Sequence, residues 1–217
     1  ALRVLERGGN AIDAGVAAGI CLNVVLQDFT SFLGVAPIIV YLKKENWVVT
    51  IDGVGRWPRA ASLEYFGDHC GGDMPIGVLR TVTPAAADAW LSALDQWGTM
   101  TFAEVAGDAI ELAGDGYAMF PVLCDHVASL RESYSRFEET QKIYFRDGEV
   151  IPVGDKVYLK DLAETMKRMA RAEEKVPGGR SSGIRAARDE IYKGETARRI
   201  VDFVQAEGGF LTMDDLA

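Results

Sequence analysis

The chain has 217 residues, with 23 Lys and Arg against 32 Asp and Glu, and a formal net charge of -9. An acidic chain is repelled by phosphate backbones and anionic lipids, so the charge argues against a nucleic acid or an anionic membrane as partner. The sequence contains no apolar run of the roughly 20 residues that a bilayer-spanning helix needs. This length is sufficient for one domain with a full core.

The first distinctive stretch is a helix made mostly of small residues. Gly8 and Gly9 are suited to ending a short first helix, and Asn10 is a good N-cap for a second one that has Asp13 in its first turn. Large apolar residues then recur every four positions, at Ile12, Val16, Ile20 and Val24. Since the intervening residues are mainly Ala and Gly, this pattern predicts a buried helix that its neighbours approach closely.

A β-hairpin is predicted next. Residues 38–42 and 47–51 have strand-like composition and flank a polar turn. Because the first of these strands is continuously apolar, we expect an inner strand that is covered on both faces. The second strand ends in a glycine-rich loop, residues 52–59, that exposes Arg56 and Arg59.

Caps and periodicity predict mostly helices for the rest of the chain. We expect these helices over residues 85–97, 102–113, 121–136, 159–172, 184–192 and 196–206, with another starting at Met213 behind a Thr212 cap. Residues 78–82 are a strand candidate. Loops are predicted at 67–75, 137–155 and 173–183, the last of them mobile. Because the chain begins in mid-helix without Met and stops where a helix begins, we expect residues 1–217 to be a single-domain fragment of a longer protein.

The cysteines and histidines are few and scattered. Cys21, Cys70 and Cys124 have neither disulfide-like nor CxxC spacing, and two histidines without a ligand motif do not indicate a metal site. We therefore expect free thiols and no metal. An odd number of cysteines favours a reducing compartment such as the cytoplasm, and a periplasmic location is compatible if a signal peptide precedes Ala1.

No common catalytic or nucleotide-binding motif is present, since GxxxxGK[ST], GxGxxG between a strand and a helix, and GxSxG are all missing. Arg56 is the most interesting polar residue, because loops at strand ends often carry function. Its guanidinium could bind a substrate carboxylate in a bidentate manner. The alternative is a surface arginine that forms a cap or a salt bridge.

Five stretches resemble the gamma-glutamyltranspeptidase family, which belongs to the N-terminal nucleophile hydrolases. The first and last of them are the most specific, and the others follow in the family's order. They are residues 5–18 (LERGGNAIDAGVAA), 102–113 (FAEVAGDAIELA), 161–166 (DLAETM), 191–197 (IYKGETA) and 208–217 (GGFLTMDDLA).

The resemblance implies an α/β (α+β) fold, the αββα four-layer sandwich, of which this chain forms the front part of the large subunit. It also implies a precursor that cleaves itself and exposes a threonine at the start of the small subunit. That threonine attacks gamma-glutamyl amides such as glutathione, with its own amine as base and without a cofactor. The implied partners are the small subunit of the same precursor and a small-molecule amide or peptide substrate. No threonine here, including Thr81, Thr83 and Thr212, is the nucleophile, which is expected beyond Ala217, so the fragment alone should be inactive.

Two departures from the family pattern concern substrate binding. The family's glycine-rich run is reduced to Gly34 within residues 31–37, and the arginine of its Arg-Glu-Thr-Ala-Pro motif is replaced by Val54 when the prolines are aligned. Arg56 and Gly34 remain as candidate substrate-binding residues. The departures are also compatible with an amidohydrolase or acylase that takes another acyl group, or with a non-catalytic homologue that binds or scaffolds.

Overall fold

The computed structural model describes residues 1–217 and is mainly helical. The helices are α1 Leu2–Glu6, α2 Ala11–Val25, α3 Leu63–Cys70, α4 Ala86–Trp97, α5 Phe102–Asp115, α6 Pro121–Ser129, α7 Arg131–Tyr134, α8 Glu138–Tyr144, α9 Lys160–Lys175, α10 Arg180–Tyr192 and α11 Glu195–Ala206. The strands are β1 Ile38–Leu42, β2 Trp47–Ile51, β3 Tyr117–Ala118, β4 Phe145–Arg146, β5 Glu149–Val150 and β6 Lys156–Val157, and they form the antiparallel pairs β1-β2, β3-β6 and β4-β5. Short 3-10 helices cover Val78–Arg80 and Met213–Asp215.

One large cluster of 37 buried residues, from Val4 to Leu216, forms the main core. Around it, α2 packs on α4 and α5, α9 packs on α5 and α10, and α10 also packs on α4 and α11. These contacts join helices from the beginning and the end of the chain. The predicted helices over 85–97, 102–113, 159–172, 184–192 and 196–206 are confirmed with small shifts at their ends.

The small-residue helix α2 is buried as predicted. Gly19 lies directly under the indole ring of Trp90, since a Cβ built on Gly19 would be 2.5 Å from two ring carbons. The indole Nε1 donates to Asn23 Oδ1 at 3.0 Å, which fixes the ring across the helix. Close packing of α2 on α4 therefore depends on the missing side chain at Gly19.

Asp13 joins the start of α2 to the α4-α5 connection. Its fully buried carboxylate accepts hydrogen bonds from the Asn10 N–H at 2.8 Å, the Thr99 N–H at 2.8 Å, the Thr99 hydroxyl at 2.6 Å and the Met100 N–H at 3.1 Å. Burial by itself raises the pKa of Asp13, but the hydrogen bonds outweigh it and hold the pKa below its ordinary value. The ionised carboxylate is thus part of the native packing.

The β1-β2 hairpin is confirmed. The expectation that its first strand is covered on both faces is wrong within residues 1–217. Val40 is buried against the core, whereas Ile39 and Tyr41 on the opposite face are 75% and 59% exposed. Val48, which pairs with Tyr41, is also exposed. The continuous apolar run predicted the strand correctly. Residues 1–217 do not form a layer that covers its outer face.

Two predictions between the hairpin and α4 are wrong. Residues 67–70 are helical because the Ser62 hydroxyl caps α3 through the Tyr65 N–H and the left-handed Gly71 ends it, so the loop starts only at Gly71. The strand expected over 78–82 is instead a single 3-10 turn, with the Thr81 N–H bonded to the Val78 carbonyl. No neighbouring strand is available there to pair with it.

Three further segments differ from expectation. The helix predicted over 121–136 is interrupted at Leu130. The loop predicted over 137–155 contains α8 and the β4-β5 hairpin. Asp147 and Gly148, both with positive φ, form the turn of that hairpin. The mobile loop predicted over 173–183 is reduced to residues 176–179, because Glu173 is buried and accepts hydrogen bonds from the first two N–H groups of α5.

The glycines of α2 provide a matched test of this packing. Replacing Gly19 by Ala should lower the free energy of unfolding by about 1–3 kcal/mol, because the new methyl group would overlap the Trp90 ring. Replacing Gly15 by Ala should leave stability unchanged or raise it by up to about 1 kcal/mol, since nothing lies within 4 Å of its Cβ position. Leucine at Gly19 or at the buried Ala17 should impair folding more strongly. Equal effects of the two alanine substitutions on denaturant unfolding of the full-length protein would contradict the close packing.

The lowered pKa of Asp13 predicts a pH-dependent contribution to stability. Asp13→Asn should cost about 3 kcal/mol at pH 7, because a charged acceptor of several hydrogen bonds is lost. The contribution is fully present above the unfolded pKa of about 4 and is lost as the pH falls through the lower folded pKa. Urea unfolding at several pH values should therefore show a difference from wild type that shrinks in acid. Asp125→Asn, at an exposed carboxylate on α6, is the control and should show little effect.

Candidate functional site

The segment that leads into α4, residues 83–86, is hydrogen-bonded to both loops that carry the candidate binding residues. The Thr83 N–H donates to the carbonyl oxygen of Arg56 at 2.8 Å. The Ala85 and Ala86 N–H groups donate to the carbonyl oxygen of Gly34 at 3.0 and 2.8 Å. Backbone N–H groups at the start of a helix have no partner within the helix. The Gly34 carbonyl supplies a partner at the N-terminus of α4, and the same bonds fix the loop over residues 31–37.

Helix α10 and the C-terminal segment are attached to the same segment. The Tyr192 hydroxyl donates to the Pro84 carbonyl at 3.0 Å and accepts from the Asp88 N–H at 3.1 Å. Burial raises the pKa of Tyr192 to about 12, so this hydroxyl remains a donor at neutral pH. The Thr83 hydroxyl donates to the Asp215 carbonyl at 3.3 Å. Four parts of the chain therefore meet at residues 83–86.

Two glycines allow the backbone of the Arg56 loop, residues 52–59, to approach neighbouring backbone closely. Gly53 has φ of 58°, and a Cβ there would be 2.0 Å from the carbonyl oxygen of Ala36. A Cβ at Gly55 would be 1.9 Å from the carbonyl oxygen of Thr83. The backbone approach at both positions requires glycine, and it determines where the next residue, Arg56, emerges.

Arg56 lines a cleft of about 370 Å³ between its own loop, the start of α4, α10 and the C-terminal segment. We call this space the Arg56 cleft. Its side-chain lining includes Arg56, Trp57, Arg59, Asp88, Arg188, Tyr192, Asp214 and Asp215. The cleft thus combines three guanidinium groups, three carboxylates and two aromatic rings.

The guanidinium groups differ in how their charge is compensated. Arg188 forms an ion pair with Asp88 and lies 5.1 Å from the centre of the Tyr192 ring. The backbone N–H of Arg59, rather than its guanidinium, donates to Asp215 Oδ1 at 3.0 Å. Arg56, like Arg59, takes part in none of the ion pairs that arginines form in this chain. Its exposed guanidinium is therefore available to an anion.

The carboxylate of Asp215 is held in its ionised form. Burial raises the pKa of Asp215, but hydrogen bonds from the backbone N–H of Arg59 and from Thr212, together with the positive charge of Arg59, leave it below its ordinary value. Thr212 precedes the turn where a helix starting at Met213 was predicted, but the structure has only the 3-10 turn Met213–Asp215 there. The positive charge of Arg59 thus acts on Asp215, and Arg56 has no ion-pair partner in the cleft.

The two candidate residues occupy different places. Arg56 faces the cleft at the end of β2, where it was predicted to lie. Gly34 is not part of the cleft lining; its carbonyl is used by α4, so it supports the cleft wall through Ala85. Whether either residue binds substrate stays a prediction.

Several cleft residues were not found from the sequence. Asp88 and Arg188 are 100 positions apart and no local pattern links them. Tyr192 sits within a stretch used for the family resemblance, but its hydrogen bonds to the start of α4 arise only from tertiary packing. Trp57 had a usable signal, because loops on a rigid scaffold often carry function and tryptophan is enriched at binding surfaces.

The remaining expectations concern cysteines, metals and membranes. Cys21, Cys70 and Cys124 are half-buried free thiols. No three His, Cys, Asp or Glu side chains cluster in a way that could hold a metal ion. None of the helices has both the length and the apolar composition required to cross a membrane.

Comparison with known proteins identifies the family to which this fold and cleft belong. The family model of gamma-glutamyltranspeptidase matches residues 1–217. A glutathione hydrolase proenzyme of Bacillus subtilis (strain 168) is 32% identical over 218 aligned residues, which cover 98% of this chain and 35% of that protein. The chain therefore belongs to the gamma-glutamyltranspeptidase family and spans about a third of the length of this curated relative.

Solved structures support the same assignment. The gamma-glutamyltranspeptidase of Helicobacter pylori superposes with a TM-score of 0.86 at 27% identity, covering 99% of this chain and 59% of that one. A cephalosporin acylase from Bacillus halodurans superposes with a TM-score of 0.83 at 26% identity, covering all of this chain and 39% of that one. The predicted fold class, the large-subunit part of an N-terminal nucleophile hydrolase sandwich, is confirmed. The family comprises enzymes that hydrolyse or transfer acyl groups.

The tight approach at Gly55 gives a test of how the cleft is built. Gly55→Ala should destabilise the full-length protein by about 2 kcal/mol, because its methyl group would collide with the Thr83 carbonyl and displace the Arg56 loop. Gly67→Ala on α3 is the control, since its Cβ position is open and its φ is not in the left-handed region. Thermal unfolding should separate the two variants. A Gly55→Ala melting temperature equal to that of Gly67→Ala would show that the loop is not held against residue 83.

Proposed function

We propose that residues 1–217 form the acyl-binding front part of the large subunit, as a single domain, in a self-cleaving amide hydrolase or acyl transferase. The nucleophile is a threonine outside this chain that self-cleavage places at the start of a small subunit. Family membership supports the reaction type, and the free guanidinium of Arg56 is the observation that carries the substrate assignment. The substrate is an amide whose acyl group bears a carboxylate.

The small subunit is the macromolecular partner in this proposal. The exposed apolar face of the hairpin, with Ile39, Tyr41 and Val48, supports it, because such a face is normally covered in a mature domain. In the chemical step, the threonine hydroxyl adds to the amide carbonyl carbon, and the threonine amine takes up the hydroxyl proton. The C–N bond then breaks, the leaving amine receives that proton, and an ester-linked acyl-enzyme remains. Water or an acceptor amine cleaves the ester and regenerates the threonine.

The contribution of this chain is to bind and orient the acyl group. A guanidinium presents paired N–H donors that match a carboxylate, and the hydrogen bond between the Arg56 carbonyl and the Thr83 N–H fixes the backbone from which the side chain extends. A fixed anchor reduces the entropy lost when the amide is placed at the nucleophile. Arg56 therefore serves as the carboxylate anchor of the cleft.

Gamma-glutamyl compounds such as glutathione are the first substrate class to test, since the related Bacillus subtilis protein is a glutathione hydrolase proenzyme. An acylase for another carboxylate-bearing acyl group is the second. It is supported by the similarity to a cephalosporin acylase and by Val54 at the position where the family resemblance places an arginine. In both cases the acyl group carries the carboxylate that Arg56 binds.

Kinetics of the self-processed full-length protein test this role. Arg56→Ala should raise KM for gamma-glutamyl and glutaryl anilides about 10- to 100-fold and leave kcat within about threefold, because charge-assisted hydrogen bonds worth about 1.5–3 kcal/mol are lost at binding. Arg56→Lys should recover part of the affinity. Arg185→Ala, at an exposed position of α10, is the control and should leave KM unchanged. Unchanged KM for Arg56→Ala would refute the anchor.

A further inference from the structure

Trp57 lies between two clefts. It lines the Arg56 cleft and also a neighbouring cleft of about 700 Å³ that contains Met74, Pro75 and Ile76. The indole is 45% exposed although it directly follows Arg56 in a loop whose backbone is fixed. A large apolar surface is thus open beside the free guanidinium.

The indole is supported from behind by an aromatic cluster. Trp57 meets Phe66 edge to face, with ring centres 6.2 Å apart and an angle of 71° between the ring planes. Phe66 is buried, and Phe210 packs edge to face on Phe66 and on Tyr65. The edge-to-face contact with Phe66 supports the indole from one side, and the rest of its surface stays exposed.

The opposite wall of the neighbouring cleft is also fixed. The Arg80 Nε–H donates to the Met74 carbonyl at 3.0 Å, and the Arg136 Nη1–H donates to the Ile76 carbonyl at 2.6 Å. The side chains of Met74 and Ile76 nevertheless remain about half exposed. Two arginines therefore hold an apolar wall in place without covering it.

We propose that Trp57 is a specificity-determining residue, and that the acyl group of the substrate joins an aromatic body to the carboxylate bound by Arg56. The aromatic body would lie against the exposed surface of Trp57 and extend toward Met74 and Ile76. This inference rests on the proposed function, because it takes Arg56 as the carboxylate anchor. It narrows the substrate to aryl-bearing acyl groups with a carboxylate.

Charge complementarity favours such a substrate over a covering segment of the same precursor. A peptide segment placed on Trp57 would also cover the neighbouring Arg56, and it would need its own carboxylate to avoid burying an unpaired guanidinium. An aryl-bearing acyl carboxylate supplies both the apolar surface and the counter-charge. The two protein groups that would bind this substrate, the Arg56 guanidinium and the Trp57 indole, belong to consecutive residues.

A pair of substrates that differ only in a phenyl group tests the proposal. In the self-processed full-length enzyme, the 3-phenylglutaryl anilide should be hydrolysed with a kcat/KM at least tenfold above that of the glutaryl anilide. Trp57→Ala should remove this preference, mainly by raising KM for the phenyl compound, so that kcat/KM falls about tenfold more for the phenyl compound than for the glutaryl compound. Trp57→Phe should retain most of the preference. Leu63→Ala, at an exposed position on α3, is the control and should leave the preference unchanged.

Four results would overturn the inference or its basis. A wild-type enzyme that cleaves both anilides without preference rules out the aromatic subsite and leaves the proposed function intact. Equal losses for both substrates in Trp57→Ala make the ring a purely structural element. Failure of Trp57→Ala to self-process while Leu63→Ala does so shows that the ring is covered by the rest of the precursor. Absence of hydrolysis of either anilide and of gamma-glutamyl anilide by the wild type removes the proposed function itself.

Discussion

The hydrogen bonds made by the backbone of residues 83–86 determine where the cleft lies. Their N–H groups bind the carbonyls of Arg56 and Gly34, and the Pro84 carbonyl accepts the Tyr192 hydroxyl. All these partners are distant in sequence, so the cleft forms only when α4, α10 and the two loops are in place together. Two glycines, at positions 53 and 55, allow the backbone approach that makes the bonds possible.

A second constraint holds the scaffold beneath this segment. Asp13 connects the start of α2 to the α4-α5 connection through three hydrogen bonds, and Trp90 of α4 rests on Gly19 of α2. Both contacts fix α4 relative to α2. Because α4 begins at residue 86, its orientation sets the position of the segment that carries the cleft.

Much of the helical scaffold could be predicted from the sequence, because its signals are local. The Asn10 cap, the Thr101 cap with Glu104 and the four-residue periodicity of α2 act within one element. Some predictions were wrong because distant groups decide the structure. Glu173 caps the start of α5 and so extends α9, which no pattern near residue 173 indicates.

The site was predictable to a smaller extent. Arg56 could be singled out because it follows a strand in a glycine-rich loop, and its place in the cleft agrees with that position. Asp88, Arg188 and Tyr192 could not, since only the packing of α10 on α4 brings them to the same cleft. The exposed apolar face of the hairpin was likewise not predicted, since no part of residues 1–217 covers it.

The central claim is that this chain belongs to a precursor that cuts itself to create its nucleophile. Intact-mass spectrometry of the purified full-length protein tests it most directly. We expect two polypeptides whose masses sum to that of the precursor plus one water, with threonine as the first residue of the smaller one. A folded protein that remains a single uncut chain, or a cut that exposes another residue, would contradict the account.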